Sequence, residues 1–452
     1  MCFTFLGILS HAVTGICAAA EQEVVLTLTK AVEIALSNSP KPEQALQAIL
    51  AAENRYKKSK SALYPILGLT GSISAKKLNY TKYNTASLEY IRGKKDAQIG
   101  IKARYTLYDG FFTKFSSIIS LNRLESEKLN KKDVSRLLAE AVKISYNSVL
   151  LAAKEIKINW HDLVFQKKML HDSRLKRAAD LVAEPNVLNF LLRRNQAKRN
   201  LLAKKHDFAI QQTILAKLMG LPNAVFRKPT RFSPFPSDKI NTLNLASVDI
   251  YLSAAREQRP DLLSLKKSKK AATYMVKAAK SKYAPSVTLV GNIMYQDNKT
   301  YYDKFIDNSS KNYQCEGLIQ FSWNFFDGES RRYEILAASA DKKKIEQQIT
   351  EKWLNIASEV RISHAQIQKA LELYSISLEN IKIQKKQREL VTEQFKAGEV
   401  DFSFLNETQQ ELVQLELELA ISKFSILSGI ASLESALGVS LKKDPLLTHN
   451  LW

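Results

Sequence analysis

Two long tracts almost free of helix breakers constrain this chain more than any other feature. Between Phe111 and Met219 there is no glycine and one proline, Pro185. Between Glu329 and Ser428 there is no proline and one glycine, Gly398. Compact enzymes with many turns consume both residue types, yet here 14 glycines and 11 prolines serve 452 residues, less than half the usual share of about 12%. Each tract, interrupted once near its middle, predicts a long helical hairpin. A Rossmann, barrel-enzyme or sandwich fold is excluded for most of the chain.

The tracts belong to a tandem duplication. Ser39-Pro40 recurs as Arg259-Pro260, and the segment Ser61 to Pro65 recurs as Ser281 to Pro285, both 220 residues on. The Asp109-Gly110 pair returns as Asp327-Gly328, and Leu218-Met219-Gly220 as Ala436-Leu437-Gly438, both 218 residues on. Each copy reads helix, strand, strand, long helix, turn, long helix. The expected boundaries are a signal peptide over 1–20, a first repeat over 21–220, a linker over 221–246, a second repeat over 247–440 and a tail over 441–452.

The strands alternate cleanly. In the first copy they are expected over about 65–76 and 97–108, with Leu67, Leu69 and Ile73, then Ile99, Ile101 and Tyr105, on one side. In the second copy they are expected over about 285–295 and 316–326, where Ile319, Phe321, Trp323 and Phe325 alternate with Gln320, Ser322 and Asn324. Ten residues of apolar-out, polar-in alternation suit a transmembrane β-strand, although a half-buried antiparallel sheet has the same period. Tyrosines in the connections (Tyr80, Tyr83, Tyr90, Tyr301, Tyr302 and Tyr313) favour the membrane, since tyrosine concentrates at its interfaces. On that reading Lys102, Arg104, Gln320 and Asn324 face a lumen. Four strands cannot close a barrel, and open edges are not tolerated in lipid, so other chains must complete the sheet.

Seven-residue spacing runs through the helices: Leu137, Ile144, Leu151, Ile158 and Phe165; Trp353, Val360, Ile367, Tyr374 and Ile381; Leu405, Leu412, Leu419, Ile426 and Leu433. Such repeats imply coiled-coil packing. An outgoing helix from about 111 to 180 would be roughly 100 Å long at ~1.5 Å per residue, which makes a tube or a stalk. The apolar run Phe3 to Ile16 followed by Cys17-Ala18-Ala19-Ala20 reads as a secretory signal peptide, although no Lys or Arg precedes it; a buried amino-terminal helix is the alternative. Cys2, Cys17 and Cys315 form neither a zinc pattern nor a disulfide framework.

These features together resemble the TolC-like outer membrane factor family, the exit ducts of Gram-negative efflux pumps and type I secretion systems. The resemblance covers nearly the whole mature chain. Its carriers are Leu28 to Leu36 leading to Asn38-Ser39-Pro40, Ala62-Leu63-Tyr64-Pro65, the two Asp-Gly pairs, and Phe395-Lys396-Ala397-Gly398-Glu399-Val400. It implies a mixed α/β membrane protein: long coiled-coil hairpins forming a tunnel, and four transmembrane β-strands per chain in a shared trimeric 12-stranded β-barrel. It further implies a homotrimer in the outer membrane reaching into the periplasm, partnered by a periplasmic adaptor and an inner-membrane transporter. No cofactor is expected. The first copy departs from the pattern, with Ala179-Asp180 where the second has Ala397-Gly398.

Charge separates the two hairpin turns. Gln166 to Lys205 carries 11 basic and three acidic residues, and Lys382 to Ala420 five basic and eight acidic. Arg193, Arg194, Lys198 and Arg199 are therefore expected to pair with the acidic second hairpin at a closed tip, and Glu399, Asp401 and Glu407 to form an acidic constriction. Solvated flanks would look the same. No catalytic constellation is present: His161-Asp162 and His171-Asp172 are ten residues apart, neither a metal pair nor a triad, and the tracts without glycine cannot hold a phosphate loop. A passive duct needs no active site. An exported coiled-coil adhesin or scaffold shares the heptads but does not require the strands. Nucleic-acid binding, suggested by the formal charge of +22, finds no basic-aromatic module.

Overall fold

The computed structural model describes residues 24–81, 89–180, 182–234, 240, 243–302 and 305–438. The expected signal peptide, the tail beyond 441 and Tyr83 lie outside the described residues. The first copy comprises β1 (Val24–Leu26), α1 (Leu28–Asn38), α2 (Pro40–Ser61), β2 (Ile66–Thr81), β3 (Glu89–Tyr108), α3 (Phe112–Ala178) and α4 (Glu184–Leu218). A short β4 (Thr230–Phe232) follows; then come α5 (Val248–Gln258), α6 (Pro260–Ser281), β5 (Ser286–Tyr302), β6 (Phe305–Ser322), α7 (Ser330–Ala397) and α8 (Phe402–Leu437).

Local chemistry sets the boundaries. Thr27 caps α1 through its hydroxyl, and Pro40 and Pro260 stand at the first helical position of α2 and α6, where the missing N–H costs nothing. The chain enters both long helices through a left-handed pair, Gly110-Phe111 and Gly328-Glu329. It leaves them through Asp180, φ 56°, and Gly398, φ 82°. Aspartate is one of the few side chains that visits the left-handed region, so Asp180 replaces the missing glycine, held by an ion pair to Arg177 at 3.0 Å.

The long helices are 67 and 68 residues, about 100 Å each at 1.5 Å per residue. Their returning partners α4 and α8 are 35 and 36 residues, and α2 and α6 fill the remaining length. Contacts order the helices into four columns: α2 with α4, then α3, then α6 with α8, then α7. The second-copy heptads lie in the core, with Val360, Ile367, Ile426 and Leu433 fully buried. In α3 the expected seam holds at Ile158, 1% exposed, but is displaced by one position near its start. Leu137 is 48% exposed while Leu138, Val142 and Val149 are buried. This helix has neighbours on two sides, so more than one apolar stripe runs along it and the seven-residue spacing alone does not select the buried one.

A parallel pair, β1 with β4, ties the start of the first copy to the connection after it. It was not legible in the sequence, since three-residue strands carry no usable period. Tyr146 fastens it to α3: the hydroxyl lies 2.8 and 2.9 Å from the Leu26 and Ser233 carbonyls, and burial pushes the phenol up to about 12.

The remaining strands form one antiparallel sheet in the order β2-β3-β5-β6. They are longer than the alternation suggested, up to 20 residues in β3. In contrast, β6 stops at Ser322, paired with Ser286. Asn324, expected on the strand, lies beyond it. Pro285 has no N–H to continue the ladder, and the Trp323 indole N–H turns instead to the Tyr283 carbonyl at 3.1 Å.

Candidate functional site

One face of the sheet is polar across all four strands. Register places Gly68, Lys102, Asn292 and Glu316 on one level, and Ser72, Gln98, Gln296 and Asn312 two levels away. Lys102, Arg104 and Gln320 share this face. Polar side chains meet on this face: Gln98 Nε2 donates across strands to Ser72 Oγ at 2.8 Å, and Lys94 pairs with Asp96 along β3 at 3.0 Å. The opposite face is apolar and bare, with Leu67 72%, Leu69 73%, Ile73 89% and Ile319 68% exposed. Among the described residues the edges β2 and β6 have no further strand beside them. A long sheet with one naked apolar face and two open edges is unstable alone in water.

At the far end of the helices the two turns meet in an apolar cluster. Phe190 of α4, 2% exposed, packs edge-on against Phe402 and Phe395 with ring centroids 4.0 and 6.2 Å apart. Met169, Leu170, Val391 and Leu405 complete the cluster. Two cations reach across it: the Lys176 ammonium lies 5.2 Å from the Phe395 ring, and the Arg388 guanidinium 5.8 Å from that of Phe165. Within one chain the hairpins are therefore joined at the tip by aromatic packing and cation–π contacts.

Within one chain the residues expected to pair there make other contacts. Arg193 donates to Gln196 on its own helix at 3.3 Å. Among the described residues no ion pair connects Arg193, Arg194, Lys198 or Arg199 to α7 or α8 of the same chain. Asp401 caps α8, accepting the Phe404 N–H at 2.9 Å, while Glu399 and Glu407 are exposed. Charge counting along the sequence could not separate helix faces, and the aromatic cluster carries no period that would reveal it.

Above the tip, α8 runs between two polar seams. Ser145, Ala152, Asn159, Gln166 and Ser173 of α3 are buried at seven-residue intervals, and so are Ser363, Ala370, Ser377, Gln384 and Val391 of α7. Gln166 reaches Asn406 at 3.4 Å, and Gln384 donates to the Thr408 carbonyl at 3.0 Å. Asp162 lies on the same side of α3 and accepts from Gln409 Nε2 at 3.1 Å. Burial pushes its carboxyl above the usual range, and the amides of Gln409 and Gln166 offset this only in part. A carboxyl raised in the folded state favours folding more as it is protonated. Asp162→Asn should therefore raise the melting temperature at pH 7, with the gain vanishing below the ordinary aspartate pKa of about 3.9. A gain that persists unchanged at pH 3 would contradict this.

Comparison with known proteins bears on the same features. Residues 251–439 match the family described as outer membrane efflux protein. The fold is shared with the solved structure of CusC, at 17% identity and a TM-score of 0.77, over 91% of this chain and 92% of that one. It is also shared with the outer membrane channel CmeC of Campylobacter jejuni, at 16% identity and 0.75, over 92% and 87%. The outer membrane protein VceC of Vibrio cholerae matches at 15% identity and 0.72, over 91% and 96%. No curated protein matches the sequence.

Proposed function

We infer that this chain, whose residues 251–439 match the outer membrane efflux protein family and which shares the fold of solved outer-membrane channels over about nine-tenths of its length, is one third of a passive exit duct. Three copies close a 12-stranded barrel in the outer membrane, and their helices extend it as a tunnel across the periplasm. The observation that carries this reading is the four-stranded sheet with one bare apolar face and two open edges. Lipid permits no open edge, so copies must join β6 of one to β2 of the next. Two copies would give eight strands, whose interior is just filled by side chains. Three are the fewest that leave a passage. The helical layer fits the same closure: α7 leaves Ile362, Ile376, Ile383 and Leu390 more than half exposed, and α4 leaves Leu188, Leu192 and Leu202 so. These two columns would meet between neighbours.

The duct needs no chemistry of its own. An adaptor and an inner-membrane transporter would engage the helical end, and efflux and type I secretion place the same demand on the wall. Arg193, Arg194, Lys198 and Arg199 stand on the column that would border the next copy, where the acidic residues Glu399, Asp401 and Glu407 can contribute to the closed tip. Exposed ion pairs are worth only about 0–1 kcal/mol each, whereas the Phe190 cluster is buried. In planar bilayers, Phe190→Ala should therefore raise closed-state conductance more than the double variant Arg193→Glu/Arg194→Glu. Equal conductance of Phe190→Ala and the parent would remove the aromatic cluster from the gate.

A further inference from the structure

Resting on the membrane reading above, the outer face of the sheet carries a second site. Going away from the helices, its levels pass from Leu69, Ile101 and Ile293 to the ring pair Tyr295–Tyr313, centroids 5.1 Å apart. Immediately beyond, Lys311, then Lys95 and Lys299, then Lys77 occupy three successive levels of the same face. Levels on one face repeat every ~7 Å and strands every ~4.8 Å, so the four ammonium groups share one patch. Lys95 and Lys299 are directly opposed in register, an arrangement that repels unless an anion intervenes. The Lys95 ammonium lies 5.3 Å from the Tyr301 ring. Among the described residues none of the four forms an ion pair, and Asp297 is the one described carboxylate on these levels of that face.

Position identifies the ligand class. Ten residues of tilted strand separate Phe321 from Lys311, a rise of about 25 Å, the height of an outer-membrane apolar band. The patch thus lies at headgroup level on the side opposite the helices, with aliphatic stems available to lie along the band and ammonium groups reaching the polar layer. We propose that Lys77, Lys95, Lys299 and Lys311 form a docking site for a phosphorylated glycolipid of the outer leaflet. Its phosphates bridge Lys95 and Lys299, and its acyl chains cover the Leu/Ile levels beneath.

The test uses intact oligomers in phosphatidylcholine nanodiscs, with bisphosphorylated, acylated glucosamine disaccharide as the probe and native mass spectrometry as the readout. The parent should retain the glycolipid, and the fourfold Lys→Gln variant should lose retention at least tenfold. The single variants Lys95→Gln and Lys299→Gln should each show intermediate loss, which covers the case of a fourfold variant that does not fold. Equal retention by parent and variants, or equal retention of phosphatidylglycerol by the parent, would overturn the site while leaving the barrel intact. Failure of the parent to enter nanodiscs as an oligomer would instead overturn the membrane reading, and the site with it.

Discussion

Replacing Lys102 and Arg104 together by glutamate is expected to shift the ion preference of the proposed barrel passage from anions toward cations. By register, among the described residues, the polar face of the sheet carries five cations, Lys76, Arg92, Lys94, Lys102 and Arg104, against two acids, Asp96 and Glu316. The double reversal leaves three cations against four acids, so the sign of the local field inverts. In the proposed three-copy barrel, where the copies face one lumen, the change would be repeated threefold. Fields concentrate in a low-dielectric passage, and a tenfold change in permeability ratio needs only about 1.4 kcal/mol. The reversal potential across a bilayer under a salt gradient reads this directly. A second double variant, Lys95→Glu/Lys299→Glu on the opposite face, should leave the reversal potential in place. If both variants shift it alike, the assignment of faces is wrong.

The second large effect concerns Arg259, which stands where the first copy has Ser39. Its guanidinium, 3% exposed, donates through Nε to Asp261 at 2.9 Å and through Nη1 to Glu359 at 2.7 Å. Nη1 also reaches the Ala436 carbonyl at 3.0 Å. One side chain thus joins the α5–α6 junction, α7 and the end of α8, where a cation also suits the helix dipole. Asp261 further accepts the Leu262 N–H and lies 3.3 Å from Lys352. Burial alone would push its carboxyl up, but Arg259 and Lys352 outweigh it and hold it below the usual range. Removing one member of a buried pair leaves a charge without compensation, at about 3–5 kcal/mol. Arg259→Met should therefore cost about that much in thermal or denaturant unfolding, whereas Arg259→Met/Asp261→Leu should recover most of it. A carboxylate with a depressed folded pKa stabilises at neutral pH and ceases to do so as pH falls through that value. The deficit of Arg259→Met should accordingly shrink in acid. A deficit independent of pH would mean that packing, and not charge, holds this junction.

Two neighbouring contacts make the end of α8 the electrostatic junction of the molecule. Lys143 of α3 pairs with Glu434, and Arg136 donates to the Ser435 carbonyl at 2.7 Å. In the first copy Ser39 occupies the place of Arg259 and forms no such triad. The duplication therefore conserved the backbone path more closely than the chemistry at its joints.

That contrast explains what the sequence could and could not reveal. Breaker-free tracts and paired landmarks made the long helices and the repeat legible, because backbone requirements at turns select a few residue types. Asp180 in the left-handed place of Gly398 follows the same rule with a different residue. Side-chain environment was less legible. Leu137 and Leu138 are adjacent and equally apolar, yet only the second is buried, since burial depends on which neighbours α3 acquires. The strands were read as about ten residues because alternation fades where lysines replace leucines. The missing levels are those that bear Lys77, Lys95 and Lys299. Of the expected site residues, Lys102, Arg104 and Gln320 share one polar face, while Asn324 falls beyond the strand. At the tip, charge totals drew notice to arginines, whereas the packed cluster of Phe190, Phe395 and Phe402 within one chain carries no sequence period.

Closure of the barrel by three copies is tested most directly by cross-linking its edges. Cys315 lies on β6, on the apolar face. With Cys2 and Cys17 replaced by serine, single cysteines at positions 67, 69, 71 or 73 of β2 can each be offered to Cys315 of a neighbouring copy under oxidation in isolated outer membranes. At least one position should give covalent species of two and three chains and none larger, with the three-chain species circular. A ladder continuing beyond three chains, or monomer alone at every position, would contradict closure by three copies.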